Sequence, residues 1–462
     1  MIQKTIQMFR IYSLYSILSM IVFLISSSPK TYGDHNLLIE PIAEYNLKEI
    51  NKSLNNGTYR GEAGILRINP EVGQSLGLNI FIDDDYRAAV KLYETAEKNL
   101  DQAIDKLKSK QNGGEKLLKQ IVDLFLRHKT DTELARQKMT AYHSRLKSDL
   151  DERLDEGLCR IKMEELLNQS LEQTGNQLRN ALAHFNNRCR GNNPDKYHLT
   201  PDNVLFVNFV YRNFLNKASI KEKERFKFDL ENNKGETNQE EWKKVARIIC
   251  PQYIDILERI IPKYQKKIYE IDPLLFLALI KRESNFNHLA VSSVGAAGLT
   301  QIMPQTAIDL GMKNIFRPNY LDQAGKLLRK EGEAENEALS ALHQIDKENG
   351  IKAAKRAREL MKKSLTLGKK REQLFDRYRV ELLKGGKDSR LDPEKALEHG
   401  LIYFLRQMKA RDGDISLALA SYNAGPHRVK KYQGIPPFDE TVRFRNVVLS
   451  YYHDFTKIAE EK

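Results

Sequence analysis

The segment Asp272–Ala307, DPLLFLALIKRESNFNHLAVSSVGAAGLTQIMPQTA, decides the fold of this chain. Asp272 at an N-cap and Pro273 at the first helical position open a helix, because Asp accepts an orphan N–H and Pro has none to lose. Leu275, Phe276, Leu279 and Ile280 then lie eight, seven, four and three residues before Glu283. That spacing puts all of them on one helix face and predicts that Glu283 points inward with them. A carboxyl among apolar side chains is costly to ionise, so its pKa should rise. A glutamate that keeps its proton near neutral pH can act as a general acid. On this pattern alone, a helix-end Glu turned to solvent remains the alternative.

The residues downstream build a setting for that carboxyl. Ser284-Asn285-Phe286-Asn287 ends the helix with polar groups, and Ser292 to Leu299 forms a small-residue loop where backbone can approach a ligand closely. Gln301-Ile302-Met303-Pro304 follows, with Thr306 and Ala307 opening another helix. Asp392-Pro393 opens a further capped helix that leads to Gly400-Leu401-Ile402-Tyr403-Phe404-Leu405. Ala420-Ser421-Tyr422-Asn423-Ala424-Gly425-Pro426 comes next, and Glu440-Thr441 begins a helix that buries Phe444, Val447, Val448, Tyr451, Tyr452 and Phe455. Between these pieces, residues 320–390 are dense in Lys, Arg and Glu with helical periodicity and breaks at Gly350 and Gly385-Gly386. They read as two helices inserted into a catalytic domain. Loop-closure cost grows only logarithmically with length, so such an insertion should pack outside the core and be removable.

The ordered motifs resemble the signature of the soluble lytic murein transglycosylase family, with its SLT-type catalytic domain. The resemblance covers roughly residues 253–455, apart from the insertion, and does not reach the N-terminal half. It implies an all-α fold with a lysozyme-like domain that cleaves peptidoglycan glycan strands between MurNAc and GlcNAc, leaving 1,6-anhydro ends. It also implies that Glu283 serves as acid and then base, with no cofactor and no metal. Ser284, Ser292, Gln301, Met303, Tyr422, Asn423 and Glu440 match cleft-lining or substrate-contacting positions. Each has a plainer reading: Tyr422-Asn423 as a helix end, Glu440 as a favourable first-turn acid, Met303 as core filler. Three residues depart from the pattern. Thr300 stands where Met is common, Phe444 where Tyr is usual, and His288 where Pro is frequent. A goose-type lysozyme hydrolase and a non-enzymatic envelope scaffold are the competing functions; Glu440 is the one motif-borne carboxylate that could hold a water for hydrolysis.

Outward from this domain the chain is polar and basic. Its 462 residues suffice for two or three domains, and its formal net charge is +13 with 30% charged residues. No basic segment with interleaved aromatics marks a nucleic-acid module, so a polyanionic envelope polymer or a membrane surface is the better partner. Lys4 and Arg10 precede the apolar run Ile11–Ile25, and Thr31-Tyr32-Gly33 places small residues before Asp34. Residues 1–33 therefore read as an export signal to the periplasm, or as an uncleaved inner-membrane anchor. Residues 34–190 read as helical hairpins with a coiled-coil-like stripe at Tyr86, Ala89, Tyr93, Ala96, Leu100, Ala103 and Leu107. That stripe breaks at Gly113-Gly114, and a long charged helical stretch then runs from Thr130 towards Asn187. Residues 191–252 read as a helical linker, with an apolar helix at Val204–Phe214 and a polar stretch at Glu231–Glu240. The N-terminal helices and the insertion are the expected docking surfaces for an envelope partner. Cys159 and Cys189 could staple two helices, or all three cysteines, Cys250 included, could be buried thiols. No repeat with a period of 20–50 residues is evident.

Overall fold

The computed structural model describes residues 36–110, 113–192, 199–224, 226 and 239–460. The export or anchor segment and most of the polar stretch at Glu231–Glu240 lie outside them. The fold is all-α, with isolated bridges as the only β pairing among the described residues. None of the described helices is long and apolar enough to cross a membrane.

The N-terminal half contains α1 (Asn36–Asn56), α2 (Pro70–Ser75), α3 (Asp84–Lys108), α4 (Gly114–Arg145), α5 (Glu156–Gln173), α6 (Leu178–Cys189), α7 (Val204–Lys217) and the short α8 (Ile220–Lys223). After α9 (Gln239–Ile249) and α10 (Ile254–Gln265) come α11 (Pro273–Ser284), α12 (Pro304–Asp309), α13 (Asn319–His343) and α14 (Gly350–Gly385). The chain closes with α15 (Pro393–Ala410), α16 (Ile415–Ala424), α17 (Pro426–Lys431) and α18 (Asp439–Glu460).

The caps act as the sequence predicts. Asp272, Asp392 and Asp414 each accept a backbone N–H from the first turn of α11, α15 and α16. The stretch from Thr130 to Asn187 is not one long helical run. It breaks after Arg145 and again after Gln173, because Asp151 and Arg153 turn inward and Asn176 takes a left-handed backbone. Only α3 and α4 form the expected hairpin. The rest of residues 34–190 folds into a compact core in which Leu38, Ile68, Leu167, Phe185, Val207 and Phe214 meet. All three cysteines are buried free thiols, pushed up to about 12 by loss of hydration, so no staple joins Cys159 to Cys189.

One buried constellation organises each half. In the C-terminal half, the fully buried Arg390 makes a two-point contact with the Asp388 carboxylate at 3.0 and 2.8 Å. It also donates to the carbonyls of Gly295 at 3.1 Å and Ile302 at 3.2 Å, and to the Tyr378 hydroxyl. In the N-terminal half, Arg153 does the same with Asp151, the carbonyls of Gly61 (2.8 Å) and Ile68 (3.1 Å), and the Tyr142 hydroxyl. The two tyrosines in turn donate to the carbonyls of Phe316 and Phe81. Helix lengths recur as well: α2 and α12 have 6 residues, α3 and α13 have 25, α5 and α15 have 18.

The insertion is the α13–α14 hairpin, and its tip meets the tip of the α3–α4 hairpin. Leu117, Ile121 and Phe125 pack there on Ala338, Leu342, Ala354 and Met361. Arg358 caps the end of α3 by donating to the carbonyls of Lys106 and Ser109. The bodies of the two halves also touch, through the buried Arg179–Asp414 pair and the Arg445–Asn180 hydrogen bond. The expectation that all of residues 320–390 packs outside the core needs correction. Tyr378, Leu382 and Leu391 form a core cluster with Ala297, and Arg390 clamps the loop itself. Long-range contacts of this kind leave no local periodicity for a sequence reading to detect. Glu331 and Arg371 face each other across the hairpin at 2.7 Å. Joining Glu331 to Arg371 through a short Gly/Ser turn should therefore leave a cooperative thermal transition by circular dichroism. Joining Asn319 to Leu391 removes Asp388, Arg390 and Tyr378 together and should abolish that transition, since it strips the core cluster around Ala297 and leaves the Gly295 and Ile302 carbonyls without their donor, at about 1–3 kcal/mol each.

Candidate active site

Helix α11 is buried on all sides rather than along one stripe: every residue from Leu274 to Ile280 is buried, packed mainly on α18, with α9 beside it. Glu283 is half-buried in the last turn of this apolar rod. The helix stops there because Asn285 and Phe286 both take left-handed backbone, with φ of 51° and 60°. Phe286 is buried, and its carbonyl accepts from the Tyr253 hydroxyl at 3.2 Å. Loss of hydration, with the Glu440 charge acting in the same direction, raises the Glu283 pKa to about 8; neighbouring Arg282 opposes the shift.

The loop after α11 closes on itself through its own backbone. Ser292 N–H donates to the Ala296 carbonyl, Gly298 N–H to Ala290, and Ala297 N–H to Ile302. Gly298 has φ of 80°, and a Cβ there would lie 1.7 Å from the Arg390 carbonyl oxygen. Only glycine fits this position. Gln301, itself left-handed, ties the loop down by donating its amide to the carbonyls of Ala290 and Gly298 at 2.9 and 2.8 Å. The Ser292 hydroxyl oxygen accepts from the N–H groups of Ala296 and Val294, at 2.9 and 3.3 Å. Both acceptor sites are thus occupied by backbone, and its own hydrogen can donate elsewhere.

Tyr422 closes the opposite wall. Its hydroxyl donates to the Thr300 carbonyl at 2.8 Å, its ring packs on Tyr403 and Phe404, and its burial beside Glu283 holds its pKa well above the usual tyrosine value. Asn423 is fixed by the Thr441 hydroxyl at 2.9 Å. Glu440 is exposed on the first turn of α18, close enough for its charge to act on Glu283. Met303 is 41% exposed, not core filler. The Ser284 hydroxyl is spent on the Ile280 carbonyl of its own helix at 3.3 Å, in a buried position. Of the three departures, Thr300 packs against Gly400 and donates to the Ala396 carbonyl, Phe444 is buried core, and His288 contacts the Tyr253 hydroxyl. Sequence reading missed Arg390, Asp388 and Tyr378, which hold the loop from inside the insertion. The short string Asp388-x-Arg390-Leu391-Asp392, matched by Asp151-x-Arg153-Leu154-Asp155, is the signal that could have found them.

The raised pKa has a stability consequence. A carboxyl held near 8 in the folded chain ionises at the ordinary value of about 4.3 when unfolded, so ionised Glu283 lowers stability progressively from pH ~4.3 to ~8. Glu283→Gln should therefore melt above the parent protein at pH 8–9, with the gap closing as pH falls towards ~4. A gap that does not depend on pH would contradict the burial of this carboxyl.

The model of the transglycosylase SLT domain family matches residues 261–326 and 372–441. A transglycosylase of Enterobacteria phage PRD1 is 39% identical over 80 residues, covering 16% of this chain and 30% of the phage protein. Among solved structures, the 70 kDa soluble lytic transglycosylase of Escherichia coli matches 84% of this chain and 66% of its own at 16% identity, with a TM-score of 0.25. An inactive mutant of a Pseudomonas aeruginosa lytic transglycosylase matches 92% and 73% at 12% identity, also with a TM-score of 0.25. The chain thus spans under a third of the phage relative and just under two thirds of the Escherichia coli enzyme. The stretches that the transglycosylase SLT domain model matches include Glu283, the Ser292–Met303 loop and Tyr422.

Proposed function

We propose that this chain is an exported lytic transglycosylase that cleaves the MurNAc–GlcNAc bond of peptidoglycan with Glu283 as the single acid and base. The observation that carries the reading is the half-buried Glu283, with a pKa raised to about 8, inside the stretch that the SLT domain model matches. In its protonated form Glu283 donates to the glycosidic oxygen, and the bond between that oxygen and muramic C1 breaks. The muramic 6-hydroxyl oxygen then bonds to C1, and the Glu283 carboxylate takes its proton. Glu283 ends as it began, no water is consumed, and the product is a 1,6-anhydro ring.

The neighbours support these steps. The Ser292 hydrogen can donate to the acetamido oxygen or to the carboxylate once Glu283 has given up its proton. Tyr422, fixed on the Thr300 carbonyl, orients the carboxyl side of the cleft. Asn423 and the exposed Met303 offer an amide and an apolar contact to sugar residues, and Gln301 keeps the loop in register. Ser284 serves the helix end. Glu440 helps keep Glu283 protonated, and its exposure argues against the buried, water-holding base of an inverting hydrolase.

Glu283→Gln keeps the shape and removes the transferable proton. Release of soluble fragments from purified sacculi should fall by about 10²–10⁴-fold or more. Mass spectrometry of the parent protein's products should show muramic ends one water lighter than hydrolysis gives. Full hydration of those ends would instead favour the lysozyme-like hydrolase, and a Gln variant that still clears sacculi at the parent rate would remove Glu283 from the mechanism.

A further inference from the structure

The N-terminal half carries the same frame as the catalytic half. Gly61, Ala63, Gly64, Ile68 and Pro70 stand 234 residues before Gly295, Ala297, Gly298, Ile302 and Pro304. Gly64 and Gly298 share the left-handed backbone, and a Cβ at Gly64 would also lie 1.7 Å from an arginine carbonyl, that of Arg153. Arg67 and Gln301, three residues on, are both left-handed. Ala63 bridges Ile68 as Ala297 bridges Ile302. Ala181-Leu182-Ala183-His184-Phe185-Asn186 on α6 parallels Ala418-Leu419-Ala420-Ser421-Tyr422-Asn423 on α16.

The chemistry differs. The α1 side chain that reaches the N-terminal loop is the buried Asn46, which donates to the Ile65 carbonyl at 2.9 Å. An amide there has no proton to transfer. Helix α1 also runs on to Asn56, and its end meets the root of the α3–α4 hairpin around a cavity of about 340 Å³. Leu54, Tyr59 and Met139 supply apolar walls, while Tyr93, Arg136 and Gln137 supply polar groups; no carboxylate lines it. Tyr59 stands two residues before Gly61, as Ser293 stands two before Gly295, so the wall of this cavity is the counterpart of the loop beside Glu283. The Tyr93 side chain is 4% exposed; the Arg60 guanidinium lies 3.4 Å over its ring, and its hydroxyl makes no well-formed hydrogen bond among the described residues. A buried hydroxyl without a well-formed hydrogen bond carries a desolvation cost that a ligand hydroxyl or carbonyl would remove. Arg136 is held only by an exposed pair with Glu133, so its guanidinium is free to turn towards a ligand.

We propose that this cavity is a second, non-catalytic saccharide site that takes one or two N-acetylated amino sugars of a β-1,4-linked glycan. Apolar and aromatic walls with a few convergent polar groups suit a pyranose, which presents C–H faces and ring hydroxyls, and the volume lies at the small end for ligand pockets. The site holds a strand without cutting it, because a cleavage site needs a carboxyl acid and none lines this cavity; Glu49, 234 residues before Glu283, is paired with Lys52 at 3.3 Å instead. The proposal rests on the peptidoglycan reading of the catalytic half.

The test is titration calorimetry of the full-length chain carrying Glu283→Gln with chitotetraose as the probe. Two binding sites are expected. Adding Tyr93→Phe should weaken one of them by about 2- to 10-fold, the loss of one hydrogen bond, and adding Arg136→Ala as well should leave a single site. Tyr93→Phe should leave the melting temperature unchanged or higher, because the hydroxyl it removes makes no well-formed hydrogen bond in the fold. A single site before these changes, two unchanged sites after them, or a lower melting temperature for Tyr93→Phe would each overturn the proposal. Sacculus digestion by the parent chain separates the two readings. Anhydro products with only one saccharide site would overturn the second site alone, whereas absence of products would overturn the catalytic reading whatever the stoichiometry.

Discussion

The contact on which the catalytic half depends is the buried Arg390 guanidinium. It carries its counter-charge, Asp388, two residues away, and so brings a neutralised pair into the interior. Its remaining N–H groups go to the Tyr378 hydroxyl and to the Gly295 and Ile302 carbonyls, the two ends of the tight loop that follows α11. A loop of small residues has little side-chain packing of its own to fix it. Hydrogen bonds to a charged donor in a dry site are strong, and leaving those carbonyls unpaired would be costly. The same pair sets why Gly298 must be glycine, since the Arg390 carbonyl occupies the space a Cβ would need.

From that anchor the chemistry follows by packing. Helix α11 buries every residue from Leu274 to Ile280 and ends at two left-handed residues, so the last inward side chain, Glu283, stops at the mouth of the loop. Tyr422, with its hydroxyl on the Thr300 carbonyl, is buried close enough to Glu283 for the two groups to interact. The outcome is a carboxyl whose pKa loss of hydration raises well above the ordinary glutamate range.

The helix, its caps and the inward Glu283 were legible in the sequence because they rest on neighbours three to eight residues apart. The positions of Ser292, Gln301 and Tyr422 were legible only through ordered motifs, since no local rule says which loop faces which helix. Ser284 shows the limit of motif transfer: the type matches, yet its hydroxyl turns back to Ile280. Arg390 and Tyr378 were not legible because they sit in a stretch rich in Lys, Arg and Glu, which reads as solvated helix until a partner 95 residues away is known. The likeness of the two halves was hidden for a similar reason. Its period of 234 residues far exceeds any window of helical periodicity, and little more than the glycines, the Asp-x-Arg-Leu-Asp strings and the loop isoleucines persist.

The central claim is that burial, with the Glu440 charge acting in the same direction, keeps the Glu283 carboxyl protonated near neutral pH. Carbon-13 NMR of δ-labelled glutamate, with the Glu283 signal assigned by its loss in Glu283→Gln, reads that proton directly. A titration midpoint near 8 is the result this account predicts. A midpoint at the ordinary glutamate value of about 4.3 would contradict it.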